Sequence, residues 1–140
     1  MRKEVALLPR VRDHMDTAVA TLRPDVDIHE AIAFLLERHV TGAPVVDGDN
    51  QVIGLLSEKD CMRLLAMGDG SEFPTGAVSE FMSHPVTCVT PEMNIYFVAG
   101  MFLREEARRF PVVVDGRLVG AITRFDILRA IRSNLGTAAR

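Results

Sequence analysis

The chain has 140 residues, 48% of them apolar and 25% charged, with 16 Lys and Arg against 19 Asp and Glu. That composition predicts a soluble globular chain, either one ordinary domain or two very small units sharing a core, that buries about 68–70% of its unfolded surface. The net charge of −3 argues against a nucleic-acid partner held mainly by charge, and no apolar run approaches the roughly 18 residues of a membrane span.

Residues 1–10 read as an N-terminal segment. Their basic start is followed only by a broken apolar stretch before Pro9 and Arg10, a poor secretory signal. Cys61 and Cys88 lie in apolar surroundings without CxxC or Cys/His spacing, so neither a metal site nor a disulfide is expected. The expected location is cytoplasmic. Val19-Ala20-Thr21-Leu22 is a short β-prone segment ended by Pro24. A helix is predicted from near Asp27, a good N-cap, with an apolar stripe at Ile28, Ala31, Ile32 and Leu35. Val45-Val46 and Val52-Ile53 flank a turn at residues 47–51, and a closing helix carries Leu64 and Leu65. Residues 67–77, with Gly68, Gly70, Pro74 and Gly76, read as a linker.

The series then starts again. Val86 to Val89 form a second β-prone segment ended by Pro91, and Asn94 caps a helix with Ile95, Val98, Ala99 and Phe102 on one face. Val112 to Val114 and Leu118-Val119 flank Asp115-Gly116, a strong hairpin signal. Ile127, Leu128 and Ile131 belong to the last helix, and residues 134–140 form a tail. Residues 11–66 and 78–133 are thus two copies of one unit. Val11, Met15, Pro24, Ile28 and Pro44 recur 67 positions later as Val78, Met82, Pro91, Ile95 and Pro111. Beyond the hairpin the offset is 66, pairing Gly54 with Gly120, Asp60 with Asp126 and Arg63 with Arg129. The missing residue falls in the hairpin loop, where a deletion costs least.

Both copies end in Gly-x-x-Ser/Thr-x-x-Asp: Gly54, Ser57 and Asp60, then Gly120, Thr123 and Asp126. A hydroxyl closing a strand three residues before an acid can be a capping box that satisfies the free N–H groups of the next helix. The same helix end can offer donors to a polar or anionic ligand, and the carboxylate can accept both hydroxyls of a ribose. The glycine would let a flat ring approach the backbone. Both readings can hold together. No Ser/His/Asp or Cys/His set, P-loop or paired metal motif occupies a common place in the repeat, so an enzyme is not expected. His39 and Glu106 are equivalent helix-end positions read as facing solvent.

With these motifs, the methionine before each first strand, and Ala43-Pro44-Val45-Val46 matched by Phe110-Pro111-Val112-Val113, the chain resembles the CBS-domain family in its paired form, the Bateman module. The resemblance implies an α/β (α+β) fold of two tandem β-α-β-β-α repeats packed sheet to sheet around a pseudo-two-fold axis. It implies a stand-alone, non-catalytic regulatory module that takes an adenine nucleotide (AMP, ADP or ATP) or a related adenosyl compound in clefts between the repeats. No effector domain is read in the sequence, so output would pass to a separate effector protein. Ser57 with Asp60, and Thr123 with Asp126, would hold ribose. Val40 and Leu55, and Ala107 and Ala121, would flank the base. Arg108 and Arg109 would reach phosphates in the opposite copy's Ser57/Asp60 site, whereas the equivalent Thr41 and Gly42 carry no charge. The guanidinium fork suits phosphate oxygens; the alternative for this pair is a solvated helix end.

Other readings are a dimerisation or interaction module with degenerate clefts, or a sensor of S-adenosylmethionine, a divalent ion or nucleic acid. Tyr96, Phe97 and Met101 fall outside the main apolar face of the second copy's helix, which predicts that a second chain covers them in a homodimer.

Overall fold

The computed structural model describes residues 8–67 and 74–138, with side chains through Ser133. The linker residues Gly68 to Ser71 lie outside the described residues. A 3-10 turn, Val11–Asp13, precedes α1 (Ile28–Arg38), β1 (Gly42–Val46), β2 (Val52–Ser57) and α2 (Glu58–Met67). The second series is α3 (Val78–Phe81), α4 (Ile95–Arg104), β3 (Arg109–Val114), β4 (Arg117–Thr123) and α5 (Arg124–Ala138). The fold is mixed α/β with two small antiparallel sheets, β1–β2 and β3–β4. Among the described residues no helix is long and apolar enough to cross a membrane.

The caps are where the sequence puts them. Asp27 accepts from the N–H groups of His29 (3.0 Å) and Glu30 (3.3 Å), and Asn94 accepts from Phe97 N–H at 2.9 Å. The second hairpin turns on Asp115 (φ 52°) and Gly116 (φ 81°), the left-handed pair that matches strand twist. In the first hairpin Asp47 holds the longer loop, its Oδ1 accepting from the N–H groups of Asp49 and Gln51, both at 2.9 Å. Both sheets shift register at the equivalent place, between Val45 and Val46 and between Val112 and Val113.

The predicted leading strand of each copy is a correction to the β-α-β-β-α pattern: it shrinks to one parallel bridge, Leu22 with Val45 and Val89 with Val112. Prolines explain this. Leu22 N–H donates to Pro44 O and Val46 N–H to Leu22 O. One step earlier the ladder would need an N–H from Pro44, and one step later an N–H from Pro24; proline has none. Pro111 and Pro91 stop the second copy in the same way.

By packing, the chain divides into two compact units. One is Val19–Val86; the other joins the residues up to Ala18 to those from Thr87 on. The short leading segments are therefore exchanged. Val11 N–H donates to Met93 O, and Val78 N–H to Val26 O. Val11, fully buried, belongs to the core of Val89, Ile95, Val98, Phe110 and Ile122. Val78, equally buried, belongs to that of Ile28, Ala31, Leu56 and Phe81. Burying a valine contributes about 1.5–3 kcal/mol, so each leading segment stabilises the body of the other copy. In the first of these cores Phe102 and Phe110 pack with ring centroids 4.4 Å apart.

The predicted stripes are otherwise inward, with Ile32 and Ala99 partly covered. Met101 is a correction: it lies in the core, 8% exposed, not on a free face. A helix that packs against both β3–β4 and α5 buries a wider arc than one stripe. Tyr96 and Phe97 remain about half exposed, and Leu65 and Leu128 point outward. His39, the left-handed end of α1, and Glu106 are both exposed.

Candidate functional site

Asp60 and Asp126 are the only buried charged residues among those described, 3% and 6% exposed. A buried carboxylate must be hydrogen-bonded, and each is. Ser57 donates to Asp60 Oδ2 through its N–H and its hydroxyl, both at 2.9 Å. Asp60 N–H returns a bond to Ser57 Oγ at 3.1 Å. Thr123 and Asp126 repeat the set at 2.8, 3.0 and 3.2 Å. The capping reading therefore holds in both copies. It consumes one carboxylate oxygen, Oδ2, and leaves Oδ1 to other partners.

Those partners differ between the copies, and sequence reasoning missed them. Asp60 Oδ1 accepts from the Ser83 hydroxyl at 2.8 Å, with Arg63 Nη2 at 3.5 Å. Asp126 Oδ1 is bound directly by Arg129. The signals were present: Arg63 and Arg129 are equivalent and one helical turn past the acid, while Ser83 and Asp16 each follow the repeat's methionine.

The glycine of the motif is occupied differently from expectation. A Cβ at Gly54 would overlap Met82 Sδ, and one at Gly120 would stand 2.8 Å from Asp16 O and 3.1 Å from Met15 Sδ. The close approach these glycines permit here is to the leading segment. That segment also pairs with the next residue: Leu55 bridges Ser83, and Ala121 bridges Asp16. Leu55 and Ala121 thus stand beside their hydroxyl residues with backbone groups engaged. Val40 precedes β1 and packs against the first-copy core. Ala107 packs against the other core, and its carbonyl accepts from Arg124 Nε at 3.1 Å.

Val40, Leu55, Ser57 and Asp60 are thereby gathered in one unit, and Ala107, Ala121, Thr123 and Asp126 in the other, together with Arg108 and Arg109. Arg109 begins β3 opposite Thr123. Partial burial pushes its guanidinium below the ordinary arginine value, and the Asp126 charge partly restores it. Arg108 is exposed. Within its own unit, then, Arg109 stands beside the Thr123/Asp126 site. Burial also pushes the Cys61 thiol up, and the adjacent Asp60 charge adds to the rise. Among the described residues no group of three or more His, Cys, Asp or Glu could hold a metal ion.

Comparison with known proteins agrees with the duplicated architecture. The family model "CBS domain" matches residues 11–67 and 78–133. An uncharacterized protein of Methanocaldococcus jannaschii, MJ1225, is 38% identical over 125 residues, covering 89% of this chain. The chain spans only 43% of that relative's length. The CBS domain-containing protein YhcV of Bacillus subtilis is 31% identical, over 84% of this chain and 81% of its own. Among solved structures, CBSX2 of Arabidopsis thaliana in complex with AMP superposes with a TM-score of 0.79 at 28% identity, covering 89% of this chain and 97% of its own.

Proposed function

The chain belongs to the CBS-domain family and carries the domain twice, and from that premise we propose that it is a regulatory module that senses an adenine nucleotide or related adenosyl compound. The observation that carries the reading is the pair of buried carboxylates, Asp60 and Asp126, each at a helix start behind a hydroxyl residue. A ribose diol donates two hydrogen bonds, and a carboxylate oxygen next to helix N–H groups is a fitting acceptor. The nearest donor to Asp60 Oδ1 is the hydroxyl of Ser83, an exposed residue, with Arg63 farther off at 3.5 Å, so a ribose hydroxyl can replace Ser83 like for like. The likeness to CBSX2, which was solved with AMP, supports the same ligand class.

In this reading Ser57 with Asp60, and Thr123 with Asp126, hold ribose, while Val40, Leu55, Ala107 and Ala121 flank the base. Arg108 and Arg109 bind phosphate, the family arrangement assigning them to the Ser57/Asp60 site and making the two sites unequal. The ligand is AMP, ADP or ATP, and binding is passed on to an effector protein. Calorimetric titration of the whole chain against adenosine and guanosine nucleotides tests this. One tight AMP or ATP event per chain is expected, abolished by Arg108→Ala with Arg109→Ala while adenosine still binds. Two equal nucleotide sites, or tight binding without both arginines, would remove the phosphate role. If the arginines serve Asp126 instead, as the place of Arg109 beside Thr123 would favour, Asp126→Ala and not Asp60→Ala will cancel their effect in a double-mutant cycle.

Homodimerisation is part of the same proposal, now resting on Tyr96 and Phe97 because Met101 is buried. Phe97→Glu should turn a sedimenting dimer into a monomer. A wild-type chain that is monomeric at micromolar concentration would exclude it.

A further inference from the structure

The two copies share the bonds from the hydroxyl residue to Asp60 and Asp126 Oδ2 and differ at Oδ1. In the first copy Arg63 Nη1 donates to Phe81 O at 3.2 Å, its Nη2 stays 3.5 Å from Asp60 Oδ1, and the neutral Ser83 hydroxyl makes the shorter bond to that oxygen at 2.8 Å. In the second copy the residue equivalent to Ser83 is Asp16. Its backbone makes the same bridge, to Ala121, but its carboxylate has no proton to donate, and Oδ1 of that side chain accepts from Ala18 N–H. Asp126 Oδ1 therefore falls to Arg129, a cation one turn away on the same helix.

An ionised donor on a carboxylate makes a bond roughly twice as strong as a neutral hydroxyl. A ribose hydroxyl that displaces Ser83 exchanges one neutral donor for another. One that displaces Arg129 must break an ion pair whose partner is tethered in place.

Resting on the ribose reading above, we propose that Arg129 occupies the Thr123/Asp126 site from within, and that the exchange of Ser83 for Asp16 is the specificity determinant that leaves only Asp60 open to a nucleoside. Because this inequality concerns ribose, a probe without phosphate reads it apart from any phosphate role of Arg108 and Arg109, although the Arg109 charge also acts on Asp126. It also makes Ser83 a positioning residue: it holds Asp60 ready and yields when ligand arrives.

Adenosine, which has no phosphate, is the probe, titrated calorimetrically into the whole chain. The wild type should bind one adenosine per chain, lost in Asp60→Ala and kept in Asp126→Ala. Arg129→Gln should add a second event, about tenfold tighter than any binding the second site shows before. Asp16→Ser should act in the same direction and guards against an Arg129 variant that folds poorly. Ser83→Asp should weaken the first site by a similar factor. One adenosine per chain in both Arg129→Gln and Asp16→Ser, or two equal sites in the wild type, overturns the proposal. Binding that needs Asp60 but ignores Arg129 and Asp16 overturns it alone; no adenosine binding at all overturns the ribose reading with it.

Discussion

Asp60 does two jobs that substitution can separate. Its capping bonds stabilise α2, and loss of such a cap costs about 0.5–2 kcal/mol. A bond to ligand is an additional loss of about 1–3 kcal/mol, roughly fivefold to a hundredfold in affinity. Asp60→Ala should thus lower the melting temperature and weaken nucleotide binding, whereas Ser57→Ala restored in stability elsewhere should still bind less well. A folded Asp60→Ala protein with unchanged affinity would leave the motif as a cap alone. Cys61 supplies a readout free of ligand. Burial and then the Asp60 charge raise its thiol, so removing that charge lowers the thiol's pKa and increases the reactive thiolate at a given pH. Alkylation of Cys61 at pH 8 should be faster in Asp60→Asn than in the wild type. An equal or slower rate would mean that the carboxylate does not act on the thiol.

The elements make their own demands. The Asp27 carboxyl closes the start of α1 and also accepts from the Thr75 hydroxyl at 3.1 Å. Desolvation pushes it up, but the bonds from Thr75 and from the N–H groups of Glu30 and His29, with the His29 charge, outweigh that and hold it below the usual carboxylate value. A depressed folded pKa means stability that is present above the unfolded value near 3.8 and is lost as pH falls through the folded one. Asp27→Asn keeps an acceptor without the charge. Its melting temperature should fall less than that of the wild type between pH 6 and pH 2.5; parallel curves would remove the charge from the account. The pairing elements show how far local chemistry reaches. Asp115-Gly116, Asn94 and Asp27 could be read directly because turns and caps depend on neighbours in sequence. The leading strands could not, since their extent depends on whether Pro44 and Pro111, far along the chain, stand where an N–H is required.

At the scale of the whole molecule, the exchanged leading segments have a measurable consequence. Val11 should matter to β3 and β4, and Val78 to β1 and β2, the reverse of what position in the repeat suggests. Val11→Ala and Val78→Ala each leave a core void costing about 2 kcal/mol. Hydrogen exchange should quicken in β3–β4 for Val11→Ala and in β1–β2 for Val78→Ala. Faster exchange in a valine's own copy would contradict the exchange of segments.

Duplication, the helix-hairpin-helix series of each copy, caps, hairpins and the Ser57/Asp60 and Thr123/Asp126 pairs were legible in the sequence by itself, because each is written in residues a few positions apart or in a fixed 67- or 66-residue offset. Tertiary structure alone decided three things. Met101 is core because α4 packs on two neighbours, not one. Gly54 and Gly120 make room for Met82 and Met15, contacts that no local pattern encodes. The free oxygen of each aspartate goes to Ser83 in one unit and Arg129 in the other, because only folding brings Ser83 to Asp60 and sets Asp16, which cannot donate, in the equivalent place.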